Sequence, residues 1–449
     1  MNKRGPKLML YLLILSATMG TVYAQTSTRH EFTIQQAVDY ARKNNVQVKN
    51  ALLNVLIQKQ TNREITAGAL PNLSGNFAIT DYIDIPTSLL PGEVFGQPAG
   101  TFIPVKFGTK YNSTAGLQLQ QTLFDGQVFV GLQARQTSID LQTKNVEVTE
   151  ESIKTNIYKI YYQLVVSKTQ IDILDANITR LQKLDHDTRE IYKNGFAEKL
   201  DVDKVSVQIT NLQTEKTKAL NNISIGYLSL KTLMGMPVKD TLLLLDKISD
   251  EQIKADIMTD TSYDYNNRKE FEYLSLTRRL NEYNIKRYKL SYLPTLSLNG
   301  VYNKNAQRNT FDLFAQGGQW FTTSYIGINL NVPIFSGFAK DARVQRSKLE
   351  LRQTENQLDN MKNTIDSEVE QARLNFRSAQ TTMSFQKENM KLAETVYDQT
   401  KKKYEAGTGS TIEINAAQTD LITAQNNYIN ALYSAIIARV DYLKATGKL

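Results

Sequence analysis

Leu70-Pro71-Asn72-Leu73 returns in the second half of the chain as Leu293-Pro294-Thr295-Leu296, 223 residues later. Three more landmarks follow in the same order. Leu123-Phe124-Asp125-Gly126 returns as Ile334-Phe335-Ser336-Gly337 at an offset of 211. Tyr192-Lys193-Asn194-Gly195 returns as Tyr404-Glu405-Ala406-Gly407, and Leu233-Met234-Gly235 as Ala445-Thr446-Gly447, both at 212. Ordered landmarks at nearly constant spacing mark an internal duplication. The drop from 223 to 211 places a longer insertion in the first copy, between residues 73 and 123.

Each copy follows one plan: helix, two strands, long helix, Gly-containing turn, medium helix. The spacing predicts opening helices over 34–66 and about 263–292, each ended by the Leu-Pro pair, since proline cannot continue a helix. The four strands are expected at about 72–85, 111–123, 295–303 and 323–334. They alternate with period two, most clearly Ile326, Ile328, Leu330, Val332 and Ile334 against Tyr325, Gly327, Asn329 and Asn331. About ten residues is the length of a tilted membrane β-strand, and Tyr82, Tyr111, Tyr302, Trp320, Phe321 and Tyr325 fall toward strand ends, where aromatic girdles sit. A soluble half-buried sheet would show the same alternation. The loop 84–112 contains Pro86, Pro91, Pro98 and Pro104 and reads as irregular, outside any membrane.

The helical hairpins are expected at 127–235 and 338–446. Ile153, Ile157, Ile160, Leu164, Ile171, Leu174, Ile178 and Leu181 keep 3–4 spacing, as do Met361, Ile365, Val369, Ala372, Phe376, Ala379 and Met383. Sustained heptads mean packed, gently supercoiled helices. A helix from Gln127 to Lys193 would be about 100 Å long at roughly 1.5 Å per residue. The opening and medium helices together match that length, so stacked end to end they could run beside it. Four strands cannot close a barrel, and an open edge in lipid leaves backbone groups unsatisfied. Several chains would therefore pool their strands into one barrel and their hairpins into one helical tube.

The chain has 449 residues with 53 Lys and Arg, 45 Asp and Glu, no Cys and two His. Without cysteine there is no disulfide framework, thiolate metal site or lipidated N-terminal cysteine. Residues 1–24 read as a secretory signal peptide: Lys3, Arg4 and Lys7, then apolar Leu8 to Leu15, then Val22-Tyr23-Ala24, with Gln25 as the expected mature N-terminus. Losing these three cations, with no acid in the segment, lowers the formal charge from +8 to +5. That is no argument for a nucleic-acid partner. Past residue 24 no stretch reaches the apolar length of a transmembrane helix. The expected organisation is signal peptide 1–24, first repeat 25–236, linking region 237–262 and second repeat 263–449.

These features together resemble the TolC family of outer-membrane efflux proteins, over nearly all of the mature chain. The run Phe95-Gly96-Gln97-Pro98 through Val105-Lys106-Phe107-Gly108 is also similar to family members from outer membranes of the Bacteroidetes type. The resemblance implies a mainly α-helical protein with a membrane β-barrel. A homotrimer would pool twelve strands in outer-membrane lipid and its hairpins would form a periplasmic tunnel, with 236–262 in an equatorial region. A periplasmic adaptor protein would join it to an inner-membrane pump. It implies a passive exit duct with no cofactor and no catalysis; small molecules are the preferred cargo, and protein secretion or metal-ion export the alternatives.

The candidate sites lie at the hairpin turns. Tyr192, Lys193, Asn194, Gly195 and Phe196, with Tyr404, Glu405, Ala406, Gly407 and Thr408, would form the periplasmic mouth. Gly195 and Gly407 suit the left-handed position that ends a helix, so capping is one role; adaptor contact is the role the resemblance adds. The family places two acids three residues apart just beyond the second tip. Here Glu413 holds the first position and Ala416 the second. In the first copy the equivalents are Asp201, with Asp203 nearby, and Lys204. Three copies of such an acid would ring the axis and favour cations, while an acid in a helix's first turn is favoured by the dipole alone. Lys401, Lys402 and Lys403 are either a solvated helix end or a contact for an acidic adaptor. His186 is expected on a helix surface and His30 exposed, neither binding metal. Nucleophile, phosphate-loop, zincin and dinucleotide motifs are absent, which argues against an exported enzyme. A periplasmic coiled-coil adaptor, the other rival, would have one hairpin and no duplicated strands.

Overall fold

The computed structural model describes residues 28–246, 263–313, 315 and 317–449. The signal peptide, Gln25 and residues 247–262 of the linking region lie outside the described residues. The elements run β1 (Arg29–Phe32), α1 (Ile34–Asn44), α2 (Val46–Ala67), β2 (Asn72–Asp81), β3 (Thr87–Pro91), β4 (Phe102–Lys106), β5 (Tyr111–Phe124), α3 (Gly126–Lys193), α4 (Lys199–Met234), β6 (Thr241–Leu244), α5 (Lys269–Leu290), β7 (Thr295–Arg308), β8 (Phe321–Asn331), α6 (Ala339–Glu405) and α7 (Thr411–Ala445). The described residues divide into two units, one within 28–49, 149–246, 263 and 367–449, the other within 50–148 and 264–366.

In the first unit the helical seams are the core. Ile153, Ile157, Leu164, Leu174, Ile178 and Leu181 of α3 are buried, as are Val369, Ala372, Phe376 and Met383 of α6. One cluster packs Ala37, Val38 and Ala41 of α1 against Ile157, Tyr161, Leu230 and Met234. The opening helix is not continuous over 34–66. It breaks at Asn45, whose Oδ1 accepts from the backbone N–H of Gln47 at 2.7 Å and of Val48 at 3.2 Å, while its Nδ2 donates to the Leu233 carbonyl at 2.6 Å. The side chain competes with the backbone and restarts the helix. The end of α4 reaches the same break, and there Gly235 is required: its φ is +71° and a Cβ would come 2.4 Å from the Asn44 carbonyl oxygen.

The linking region contributes β6, which pairs in parallel with β1. Tyr161 Oη donates to the Phe32 carbonyl at 2.9 Å, and Asp246 Oδ2 accepts from the Ile34 N–H at 2.6 Å. Burial pushes the Tyr161 phenol up, out of the normal titration range. His30 is half-buried rather than exposed, 3.4 Å from Asp240.

In the second unit the four expected strands form one antiparallel sheet in the order β2-β5-β7-β8, so the two copies meet at β5 and β7. Three strand boundaries differ from the sequence expectation by three residues or more. β2 ends at Asp81 and not at 85; β7 runs on to Arg308; and β8 stops at Asn331, because Pro333 has no N–H to continue the ladder. The loop 84–112 is not wholly irregular: β3 and β4 pair antiparallel, Thr87 with Lys106 through Pro91 with Phe102. Pro91 and Pro104 sit in a two-stranded ribbon, which has only edges and so tolerates proline. The second opening helix begins at Lys269 and ends at Leu290. Asn62 Nδ2 donates to the Arg135 carbonyl at 2.8 Å and pins α2 to the start of α3. Lys144 joins Glu147 and Glu272, each at 2.7 Å, and ties α3 to α5.

Candidate functional site

The strand register divides the sheet into two unlike faces. One carries Leu73, Phe77, Ile79, Ala115, Leu117, Leu119, Leu296, Leu298, Ile326, Ile328 and Leu330. The other carries Asn76, Asn112, Thr114, Gln118, Gln120, Asn299, Asn303, Asn305, Thr323, Asn329 and Asn331, and no charged residue at any position of the four strands. Thr114 Oγ1 donates to Asn305 Oδ1 at 3.0 Å, and Asn305 Nδ2 to Thr323 Oγ1 at 3.2 Å, so this face is a hydrogen-bonded ladder. Gly116 makes room for it: a Cβ there would overlap the Asn303 carboxamide at 1.8 Å. Apolar residues of the first face stay open to solvent, Ile326 at 81% and Ile328 at 67%. An exposed apolar band on one face with a charge-free polar face behind it is the pattern of a strand wall between lipid and water.

At the other end of the repeat plan, both hairpin turns belong to the first unit and meet there. Gly195 has φ +81° and Gly407 φ +75°, so each turn closes through the left-handed conformation. An open cleft of about 1070 Å³ is lined by Phe196, Leu200, Asp201, Lys204, Tyr404 and Ile412, among others. Gly195, Glu405 and Gly407 also line it. The structure thus brings five of the ten tip candidates to one cleft. Tyr192, Lys193, Asn194, Ala406 and Thr408 do not line it. Lys193 is paired with Glu190 at 2.7 Å and Thr408 Oγ1 donates to the Lys403 carbonyl at 3.2 Å.

The two equivalent tyrosines differ. Tyr192 is 45% exposed. Tyr404 is 8% exposed and its hydroxyl lies 3.1 Å from Thr188 Oγ1 of α3, inside a cluster with Leu181, Leu184, Val205, Ile414 and Leu421. Buried in this way, it holds the two hairpins together rather than presenting a surface contact.

The acids occupy equivalent places. Asp201 and Glu413 are each the third residue of their helix, and each accepts from the backbone N–H of its cap, Glu198 at 3.4 Å and Ser410 at 3.5 Å. Both therefore close capping boxes. Glu413 is exposed and Asp201 half-buried. Asp203 is exposed and lies 3.9 Å from Lys199.

Above the tips, sequence reading missed a buried polar group. Asn177 Nδ2 donates to Gln425 Oε1 at 2.7 Å, and Gln418 Nε2 to Asn177 Oδ1 at 3.3 Å. Gln418 and Gln425 stand one heptad apart beside the seam of α7, a signal that was present in the spacing. Within the first hairpin, Asp185 takes hydrogen bonds from Arg189 at 2.6 Å and Ser206 at 3.0 Å. Burial raises the Asp185 carboxyl, but these two donors outweigh it and hold the group below the usual carboxylate range. Among the described residues no cluster of His, Cys, Asp and Glu could hold a metal, and no helix is long and apolar enough to cross a membrane.

The model of the outer membrane efflux protein family matches residues 266–448, the whole second repeat from the start of α5. The outer membrane efflux protein BepC of Brucella suis is 21% identical over 452 residues, spanning 100% of this chain and 91% of that protein. Over its whole length the chain is similar to outer-membrane efflux proteins of the TolC kind. Outer membrane protein TolC of Vibrio cholerae is 19% identical over 75% of this chain and 77% of its own length. The fold agrees with the solved structure of CusC at a TM-score of 0.77 and 14% identity, covering 95% of each chain. These likenesses support an outer-membrane efflux duct with a helical periplasmic part. Members of the family are ducts rather than enzymes.

Proposed function

We propose that three copies of this chain form one conduit and pass small molecules outward from a periplasmic adaptor and inner-membrane pump. The observation that carries this is the two-faced sheet with both edges open. Among the described residues β2 and β8 each pair on one side only. Open edges in lipid leave backbone groups without partners, at a cost of several kcal/mol per group. Pairing β2 of one protomer with β8 of the next removes that cost, and three copies give a closed barrel. The apolar face then meets lipid, and the amide and hydroxyl face lines the exit.

The cleft between the tips is the surface for the adaptor, with Phe196, Leu200 and Ile412 as its apolar anchors; these are 86%, 56% and 70% exposed. Asp201 and Glu413, beyond their capping roles, narrow the periplasmic entrance as rings of three and favour cations there. Opening separates the hairpins, and adaptor contact biases that equilibrium. No residue here supplies energy.

The test is the mass of the mature protein, extracted from outer membranes in detergent, by light scattering with and without boiling. The expected result is a trimer that boiling dissociates. A monomer in the soluble periplasmic fraction would sink the conduit.

A further inference from the structure

The apolar face of the sheet is interrupted by a groove of about 390 Å³, lined by Leu73, Leu117, Leu119, Gly300, Tyr302 and Ile326 among others. Gly300 is what opens it. Its backbone is ordinary, and an added Cβ would meet only Leu119, at 3.5 and 3.8 Å. Neither a turn nor a clash explains the glycine; the space it leaves does. Leu73, Leu119, Gly300 and Ile326 form one rung, and Leu117, Tyr302 and Ser324 belong to the next.

Lys304 stands one rung further on the same face, opposite Ala115 on β5 and Thr322 on β8. It is half-buried, and no acid stands on its rung. β7 leaves α5 at Thr295 and runs to Arg308, so Lys304 lies toward the end away from the helices. Arg308, two rungs beyond, is already used: it donates to the Gln319 carbonyl at 2.7 Å and lies 3.7 Å from Asp312. Lys304 is thus the free cation at the head of the groove among the described sheet residues, with the Tyr302 ring between the two.

We propose that this face binds one outer-leaflet lipid with a phosphorylated headgroup. Its acyl chain lies in the groove over Gly300 and its phosphate sits on the Lys304 ammonium. The inference rests on the reading that this face meets lipid. Charge complementarity selects the occupant. A neutral lipid would fill the groove and leave the ammonium without an anion. A phosphorylated one fills both, as expected where a cation sits at headgroup depth.

The experiment uses the full protein in nanodiscs of phosphatidylcholine doped with bisphosphorylated lipid A or with its dephosphorylated form. Native mass spectrometry counts the doped lipid retained after release. Wild type should retain the phosphorylated form and lose the dephosphorylated one. Lys304→Gln should cut retention of the phosphorylated form about fivefold, the scale of one surface cation, and Lys304→Arg should restore it. Gly300→Leu, which fills the groove, should lower retention with the ammonium still in place. Equal retention of the two forms by wild type, or unchanged retention in Lys304→Gln, overturns the site. Single-channel conductance of the same discs separates the two readings. Conducting discs that retain neither lipid strike out this site alone, and discs that take up no trimer strike out the conduit itself.

Discussion

The two hairpin tips repeat one piece of sequence but are packed differently. Each has Tyr-x-x-Gly, a glycine in the left-handed region and an acid at the third position of the next helix. Yet Tyr404 is buried and bonded to Thr188, whereas Tyr192 is half open to solvent and Phe196 beyond it almost fully so. The turn chemistry is local and therefore repeats. The tyrosine's role depends on what the opposite hairpin presents, and only the second tip finds a cavity with a hydroxyl waiting. The first tip stays exposed, and the second is fastened to α3 through Tyr404 and Thr188.

The strongest way to break this contrast is at the glycines. Proline cannot adopt φ +75°, and at Gly407 it would also remove the N–H that donates to the Tyr404 carbonyl at 3.0 Å. Gly407→Pro should abolish export, tenfold or more, with the heat-sensitive oligomer intact on gels. Normal export would show that the closed turn of the second tip is not needed as a fastening.

Next is the fastening. Tyr404→Phe deletes one buried hydroxyl pair and leaves Thr188 without its partner, a loss of about 1 kcal/mol. In a planar bilayer the open fraction should rise about fivefold. Tyr192→Phe should change nothing. Equal effects of the two would mean that the tips are functionally symmetric.

The acids test whether entrance and cap can be separated. Glu413→Ala loses the ring charge and half of a capping box, about 0.5–1 kcal/mol of local helix stability. It should weaken cation preference measured from reversal potentials. Glu413→Gln keeps a hydrogen-bond acceptor at the cap, so it should retain the helix and still lose the preference. If both variants keep wild-type selectivity, Glu413 is a cap and nothing more. The same pair at Asp201 should give a smaller change, because that acid is half-buried beside Lys204.

The smallest effect is in the brace of the first hairpin. The Asp185 carboxyl is held below its ordinary range, so its bonds to Arg189 and Ser206 contribute stability above the unfolded pKa, about 4. That contribution disappears as pH falls through the folded value. Arg189 is half exposed, so water screens the pair and Asp185→Asn should cost only ~0.5 kcal/mol at pH 7. The difference from wild type, read by thermal unfolding of the detergent-solubilised protein, should shrink below about pH 4. A pH-independent difference would mean that the carboxylate charge plays no part.

Much of this protein was legible as a string. Period-two alternation gives each strand an apolar and a polar face without reference to any neighbour, and 3–4 spacing does the same for Ile157, Leu181, Ile365 and Phe376. Duplication multiplied both signals. The left-handed glycines and the favourable first-turn position of Asp201 and Glu413 were equally readable, because each concerns atoms within four residues. What waited for the tertiary structure was everything that pairs distant residues. Asn45 breaks a helix that periodicity runs straight through, because the Leu233 carbonyl accepts from its side chain. The proline-rich loop folds back as β3 and β4 through cross-strand bonds that no local propensity reports. The sheet order that joins the copies at β5 and β7, the meeting of Asn177 with Gln425, and the choice of which tyrosine is buried all compare residues far apart in the chain. Local patterns set which face each element must bury; only packing decides what it is buried against.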